Sequence, residues 1–363
     1  MATSDGFPTA IVVSFCCFYF VVFLLSIVGN SFVLSVCYKT LRRRQSSLKW
    51  FIANLAIADL TFTVLSILDL IAFLWTWIGG QASCKLQSFL IEACYTTSIM
   101  TLFLITFERR KAVVAPFSAR MTASEANCKK LIAVWLVSLV IGSPLLYAYQ
   151  IKTDISGMMT CTNSAFGDLG RQIYYSIHAV CIFIVPLTYM IYAQSTIFLT
   201  LRSGVFPRQN VFSAVCSKRH HRVAKPLAAL TVAFAICWAP FIIVRTLMYF
   251  HLMEGGYYWR ASQLLIFLNT ALDPILYGIY GDNLKPFLQR LFKCGNFAMP
   301  VRVESLTIDR TFKQIKQDSS TLAKSQPKKD TVADLNIIEL SNGFSNAVSR
   351  KSTGCVIEPE HRH

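Results

Sequence analysis

The sequence predicts an all-α membrane protein. It reads as a seven-transmembrane helix bundle with a short amphipathic eighth helix and a disordered C-terminal tail. Three observations carry this reading. The 363-residue chain is 54% hydrophobic and only 15% charged, where soluble chains carry about 25% charged residues. The apolar residues gather in blocks long enough to cross a bilayer, which takes about 20 helical residues. The basic residues alternate between loops, as the positive-inside rule requires.

The blocks fall at 11–38, 48–75, 84–107, 131–149, 173–199, 227–250 and 261–281. The first is too long for a signal peptide, and residues 1–10 carry a single charge, Asp5. Arg42, Arg43 and Arg44 follow span one, Arg110 and Lys111 follow span three, Lys218, Arg219 and Arg222 precede span six, and Lys285, Arg290 and Lys293 follow span seven. These sides are cytoplasmic, so residues 1–10 form a short extracellular segment and the tail lies inside. The net charge of +16 thus belongs to the membrane surface, and a nucleic-acid partner is excluded.

Residues 11–281 form the helix bundle. Residues 283–294 read as the amphipathic helix, with Phe287, Leu288, Leu291 and Phe292 on one face and cationic edges that suit anionic lipid. Residues 295–363 lack periodicity and read as disordered. Of twelve cysteines, only Cys84 and Cys161 fall on the outer, oxidising side, so they are expected to pair.

Polar residues inside spans are the functional candidates, because lipid does not tolerate them without partners. Asp59 lies in "NLAIADL" (54–60), Glu92 and Ser98 in span three, and Asn269 and Asp273 in span seven. Asn269 and Asp273 share a helical face, being four apart. Two carboxylates at mid-membrane, joined by oxygens of Ser98 and Asn269, make an oxygen-lined site for a hard cation. Pro186, Pro240 and Pro274 fall inside spans five, six and seven, where each removes a backbone donor and favours a kink.

These marks occur in order with "GN" (29–30), "ERR" (108–110), Trp135, "FAICWAPF" (234–241) and "NTALDPILY" (269–277), over about residues 20–294. The set resembles the rhodopsin-like (class A) G-protein-coupled receptors. The resemblance implies a plasma-membrane receptor, not an enzyme, that binds an extracellular ligand and activates heterotrimeric G proteins. It implies a regulatory sodium ion at Asp59, Ser98, Asn269 and Asp273. It also implies that Arg109 meets the G protein with Glu108 holding it at rest, that Trp238 is an aromatic switch, and that Ile99, Pro186 and Phe234 couple pocket to cytoplasmic face. Tyr277 matches the tyrosine that turns inward on activation, and Cys294 a palmitoylated cysteine. The Ser/Thr-rich tail implies receptor kinases and arrestin. The sequence departs from the family pattern at His220 and Gln194, where an acid and a tyrosine are usual, and Pro226 has no assigned role.

The ligand is narrowed by elimination. Ile91 replaces the aspartate of amine receptors, and Phe267 replaces the lysine that binds retinal, so no retinal is expected. The expected pocket is Asp69, Glu92, His178, Arg245 and Gln263, with Tyr95, Trp238 and Phe267 below. Mixed charges suit a peptide; a small polar non-amine ligand is the alternative. Glu92 lies about 12 Å below Cys84 along its helix, and either contacts ligand or pairs with Arg245 to close the empty site. An ion-coupled transporter or channel would show internal repeats or broken spans, and the sequence has neither. An enzyme would need a catalytic set, and His178 and His251 stand isolated in the sequence.

Overall fold

The computed structural model describes residues 7–41, 47–114, 124–155, 157–202 and 211–280, without the side chains of 40, 47, 124–126, 211–223 and 277–280. Seven long helical elements follow one another: α1 Thr9–Leu41, α2 Ser47–Leu74, α3 Gly80–Val114, α4 Ser124–Gly142, α5 from Gly167, α6 Val211–Tyr249 and α7 Gly256–Tyr280. Each expected span is present, mostly with extra turns at one or both ends. Among the described residues, six of the seven are apolar and long enough to cross a membrane by length and composition; α7 is not one of them. It carries Gln263, Asn269 and Asp273, which lower its mean hydropathy and face the interior sites described below.

α3 is the central helix, packing against α2, α4 and α5, while α1 packs on α2 and α7, and α7 on α6. One continuous apolar core runs through the bundle, with Phe51, Leu55, Ile99, Ile105, Met190, Leu230, Phe234 and Ile266 almost wholly buried. The opposite helix faces carry exposed Val, Leu and Phe, as lipid requires.

The proline positions have different local solutions. Pro274 leaves the carbonyl of Thr270, four residues back, without its helical donor. Asn30 Nδ2 of α1 donates to that oxygen at 2.9 Å. Gly29, beside Asn30, makes this approach possible, because a Cβ there would lie 2.8 Å from the Pro274 ring. In α5 the helix Gly167–His178 passes into a π-helical segment, Ala179–Ile184, before the α-helix resumes at Val185–Arg202 with Pro186 in its first turn. The wider turn takes up the register that a missing proline N–H disturbs. α6 remains helical through both Pro226 and Pro240.

Between spans four and five the chain forms a hairpin followed by the start of α5. β1 (Gln150–Thr153) and β2 (Met159–Thr162) pair antiparallel, with Ile151 opposite Cys161. Cys161 is disulfide-bonded to Cys84 at the top of α3. Trp77 N–H donates to Met159 O at 2.8 Å, and the Gln81 amide bonds both Tyr149 O and Ile151 N–H. The hairpin is therefore fixed to the α2–α3 end by one covalent and several polar ties. The amphipathic helix, Cys294 and the tail lie outside the described residues.

Candidate functional site

Beneath the hairpin, a cavity of about 260 Å³ opens between α2, α3, α5, α6 and α7. Asp69, Glu92, Tyr95, Arg245 and Gln263 line it, and so does Ile91. A smaller cavity of about 70 Å³ lies toward α1 and shares Asp69, Tyr95 and Gln263, with Phe267 and Tyr19 on its wall. Phe267 and Tyr19 stack with ring centres 4.5 Å apart. Six of the eight expected pocket residues thus face these two spaces. His178 and Trp238 stand one shell behind.

His178 is not isolated in the fold. Its Nε2 contacts Glu92 Oε1, and Arg245 Nη2 lies 3.1 Å from its Nδ1. Arginine can only donate, so Nδ1 accepts and the imidazole proton sits on Nε2, facing the carboxylate. Arg245 Nη1 is 4.0 Å from Glu92 Oε2. The guanidinium lies between two rings, 4.4 Å from the centre of Tyr175 and 4.8 Å from that of Phe241. All three polar side chains are almost fully buried. The cluster ties α3, α5 and α6 together at cavity depth and compensates its own charge. Glu92 and Arg245 thus approach each other at 4.0 Å, as one alternative expected, with His178 as a third member, but the cavity beside them stays open.

Arg260 is a cavity-lining residue that sequence reading missed. It lines both cavities, lies 4.8 Å over the Phe73 ring, and attracts the Asp69 carboxylate. The span boundary at 261 placed it in a loop, whereas α7 begins at Gly256. Its spacing of three from Gln263 is the signal that puts both on one face. Tyr175 and Tyr249 were missed likewise, three residues before His178 and four after Arg245. Their rings stack at 4.7 Å, and Asn163 donates to both hydroxyls.

Below the cavity floor the rings form a column. Tyr95 meets Trp238 edge-on at 4.9 Å, Trp238 meets Phe234 at 5.7 Å, and Phe234 meets Phe183 at 5.6 Å. Ile99 and Phe234 share the same core, and Pro186 is buried in α5.

Beside this column lies the acidic site. Asp59 and Asp273 are buried, and their carboxylates interact. Ser98 Oγ donates to Asp59 Oδ1 at 3.2 Å, and Asn269 Nδ2 to Asp273 Oδ2 at 3.4 Å. The remaining oxygens, Asp59 Oδ2, Asp273 Oδ1 and Asn269 Oδ1, are buried with no hydrogen-bond partner among the described residues. The four expected residues are therefore brought together, and their spare groups are all oxygen acceptors. This donor set fits a hard cation.

At the end of the bundle away from the hairpin, Glu108 contacts Lys130 of α4, a partner the sequence did not single out. Arg109 beside it is half-buried. Arg110 donates to the Tyr192 hydroxyl at 3.2 Å and lies over that ring, tying α3 to α5. Gln194 faces inward, and neither amide atom has a hydrogen-bond partner among the described residues. Tyr277 lies in α7, and His220 in α6, but their side chains are outside those described. On the α2–α3–α4 side, Asn54 joins Thr101 at 2.9 Å to Trp135 at 2.8 Å.

Residues 29–277 match the family model of the 7 transmembrane receptor (rhodopsin family). The chain belongs to the rhodopsin family of seven-transmembrane receptors. It is 27% identical over 314 residues to a QRFP-like peptide receptor of Branchiostoma floridae, covering 82% of each chain. It is 29% identical to galanin receptor 2a of Danio rerio, over 76% of each chain. It is 25% identical to neuropeptide Y receptor type 6 of Oryctolagus cuniculus, over 80% of this chain and 83% of that one. Membership makes this a multi-pass membrane receptor and removes the transporter, channel and enzyme alternatives.

Proposed function

We propose that this rhodopsin-family receptor binds an extracellular peptide beneath its hairpin and activates heterotrimeric G proteins from the opposite face. The observation that carries the reading is the cavity, which holds two acids and two guanidiniums within reach of one ligand. A peptide offers several polar groups at once, and relatives named as receptors for neuropeptide Y and galanin support that class. The hairpin and its disulfide lie on the extracellular side of the plasma membrane, and the ends of α3 and α6 that carry Glu108 and the basic residues lie inside.

Sodium binds among Asp59, Ser98, Asn269 and Asp273 and favours the resting bundle. The three unpartnered oxygens support this, since a cation satisfies them while separating two like charges. Receptor kinases and arrestin act on the Ser/Thr-rich tail, and Cys294 with the segment before it engages membrane lipid. The test is second-messenger output in cells expressing the full chain against a peptide library. Activation by a peptide, lost on Arg109→Ala at equal surface expression, is the expected result. Silence toward every peptide, with a response to small polar metabolites, would move the reading to the alternative ligand class.

A further inference from the structure

We propose that the outer cavity holds its ligand through a carboxamide that bridges Arg245 Nη1 and Glu92 Oε2. The proposal rests on the peptide-receptor reading and names the chemical group that the site takes. Glu92 and Arg245 both line the cavity, while His178 does not. Arg245 Nη2 is occupied by His178 Nδ1 at 3.1 Å. Nη1 and Oε2 stand 4.0 Å apart, beyond hydrogen-bond reach of each other. Rings of Tyr175 and Phe241 on the guanidinium resist its swinging toward the carboxylate.

That gap has a donor on one side and an acceptor on the other. A primary amide carries the complement, with oxygen and nitrogen roughly 2.3 Å apart by standard bond lengths. Two hydrogen bonds of about 2.9 Å then span the 4.0 Å separation without moving either residue. Charge selects the same group. A carboxylate on Arg245 would lie against Glu92, and an ammonium on Glu92 would lie against Arg245, each a like-charge contact at low dielectric. The amide satisfies both residues and leaves the cluster neutral. The amide comes from an amidated C-terminus or from an Asn or Gln side chain.

The experiment uses the full-length receptor in cells and pools of short synthetic peptides. Each sequence is made as C-terminal carboxamide, methyl ester and free acid, and sequences with and without Asn or Gln are pooled separately. A terminal source predicts that the amide form is about tenfold or more stronger than ester and acid, the yield of one charge-assisted hydrogen bond. A side-chain source predicts activity only in the Asn/Gln pools, whatever the terminus. In either case Glu92→Gln, matched for surface expression, shrinks the preference, and for a terminal source the free acid gains on the amide. Arg245→Lys, which keeps the charge but loses the fork, also removes the preference. A free acid that is strongest on the wild type overturns the proposal, as does a preference unchanged in Glu92→Gln. If every pool is silent in every form, the peptide reading itself falls and takes the proposal with it.

Discussion

The receptor buries ionisable groups in two places, and it treats them in opposite ways. In the outer cluster, Glu92, His178 and Arg245 come from three helices and answer one another's charge. In the inner site, Asp59 and Asp273 bring two acidic side chains together, with three oxygens left unpartnered among the described residues. The outer cluster balances its charge without a guest and keeps one donor and one acceptor, Arg245 Nη1 and Glu92 Oε2, 4.0 Å apart, for a neutral ligand group. The inner site is incomplete by itself, so it has a use for a cation. Removing a side chain should therefore have opposite consequences in the two places.

The largest expected effect is at Arg245. Arg245→Ala leaves Glu92 buried without its cation, which costs about 3–5 kcal/mol for a broken buried pair. Melting of the purified receptor should drop accordingly. The double variant Arg245→Ala with Glu92→Gln should recover much of the loss, because the orphaned charge is gone. A double variant as unstable as the single one would mean that the lost contacts of the guanidinium with Tyr175 and Phe241 dominate, not charge.

Next comes the tether that roofs the outer cluster. Cys84→Ala opens a loop closed between positions 77 apart and should cost about 2–4 kcal/mol. The hairpin keeps its polar ties to Thr76, Trp77 and Gln81, so the loss should show mainly as reduced surface expression and ligand response. Wild-type expression and response in Cys84→Ala would show that those hydrogen bonds alone hold the roof.

The inner site is smaller in effect and opposite in sign. A cation that binds the folded state stabilises it by mass action, about 1.4 kcal/mol when present at tenfold its dissociation constant. Melting in sodium chloride should exceed melting in a bulky organic chloride at matched ionic strength. Asp59→Asn removes one of the two like charges, so it should abolish the sodium dependence and leave the sodium-free receptor no less stable. A wild type that melts equally in both salts would make Asp59 a packing group.

Both regions differ in how far the sequence disclosed them. Asp59, Ser98, Asn269 and Asp273 stand out as polar residues within apolar runs, and the fold brings all four together. Glu92 and Arg245 were visible for the same reason. Their link through His178 was not, because it depends on how three helices rotate about their axes, and linear spacing fixes only faces within one helix. Arg260 was hidden by a span boundary set at 261, whereas its helix begins at Gly256. The π-helical turn before Pro186 has no pattern of its own in the sequence. The seven helices themselves were legible because bilayer thickness sets their length and lipid sets their composition.

The smallest effect tests whether depth is the variable that matters. Glu108 and Lys130 form the same kind of pair as Glu92 and Arg245, but their side chains are 16% and 30% exposed rather than about 5%. Water and headgroups screen the charges there, and a lone carboxylate can be resolvated when its partner is removed. Exposed pairs of this type contribute about 0–1 kcal/mol. Lys130→Ala should therefore shift melting by less than about 1 kcal/mol, where Arg245→Ala shifts it severalfold more. It should also leave Glu108 free to act on Arg109, one residue along α3, so basal signalling should fall modestly at unchanged surface expression. A melting loss in Lys130→Ala equal to that in Arg245→Ala would show that the outer cluster's cost comes from its helix-joining contacts and not from the burial of its charge.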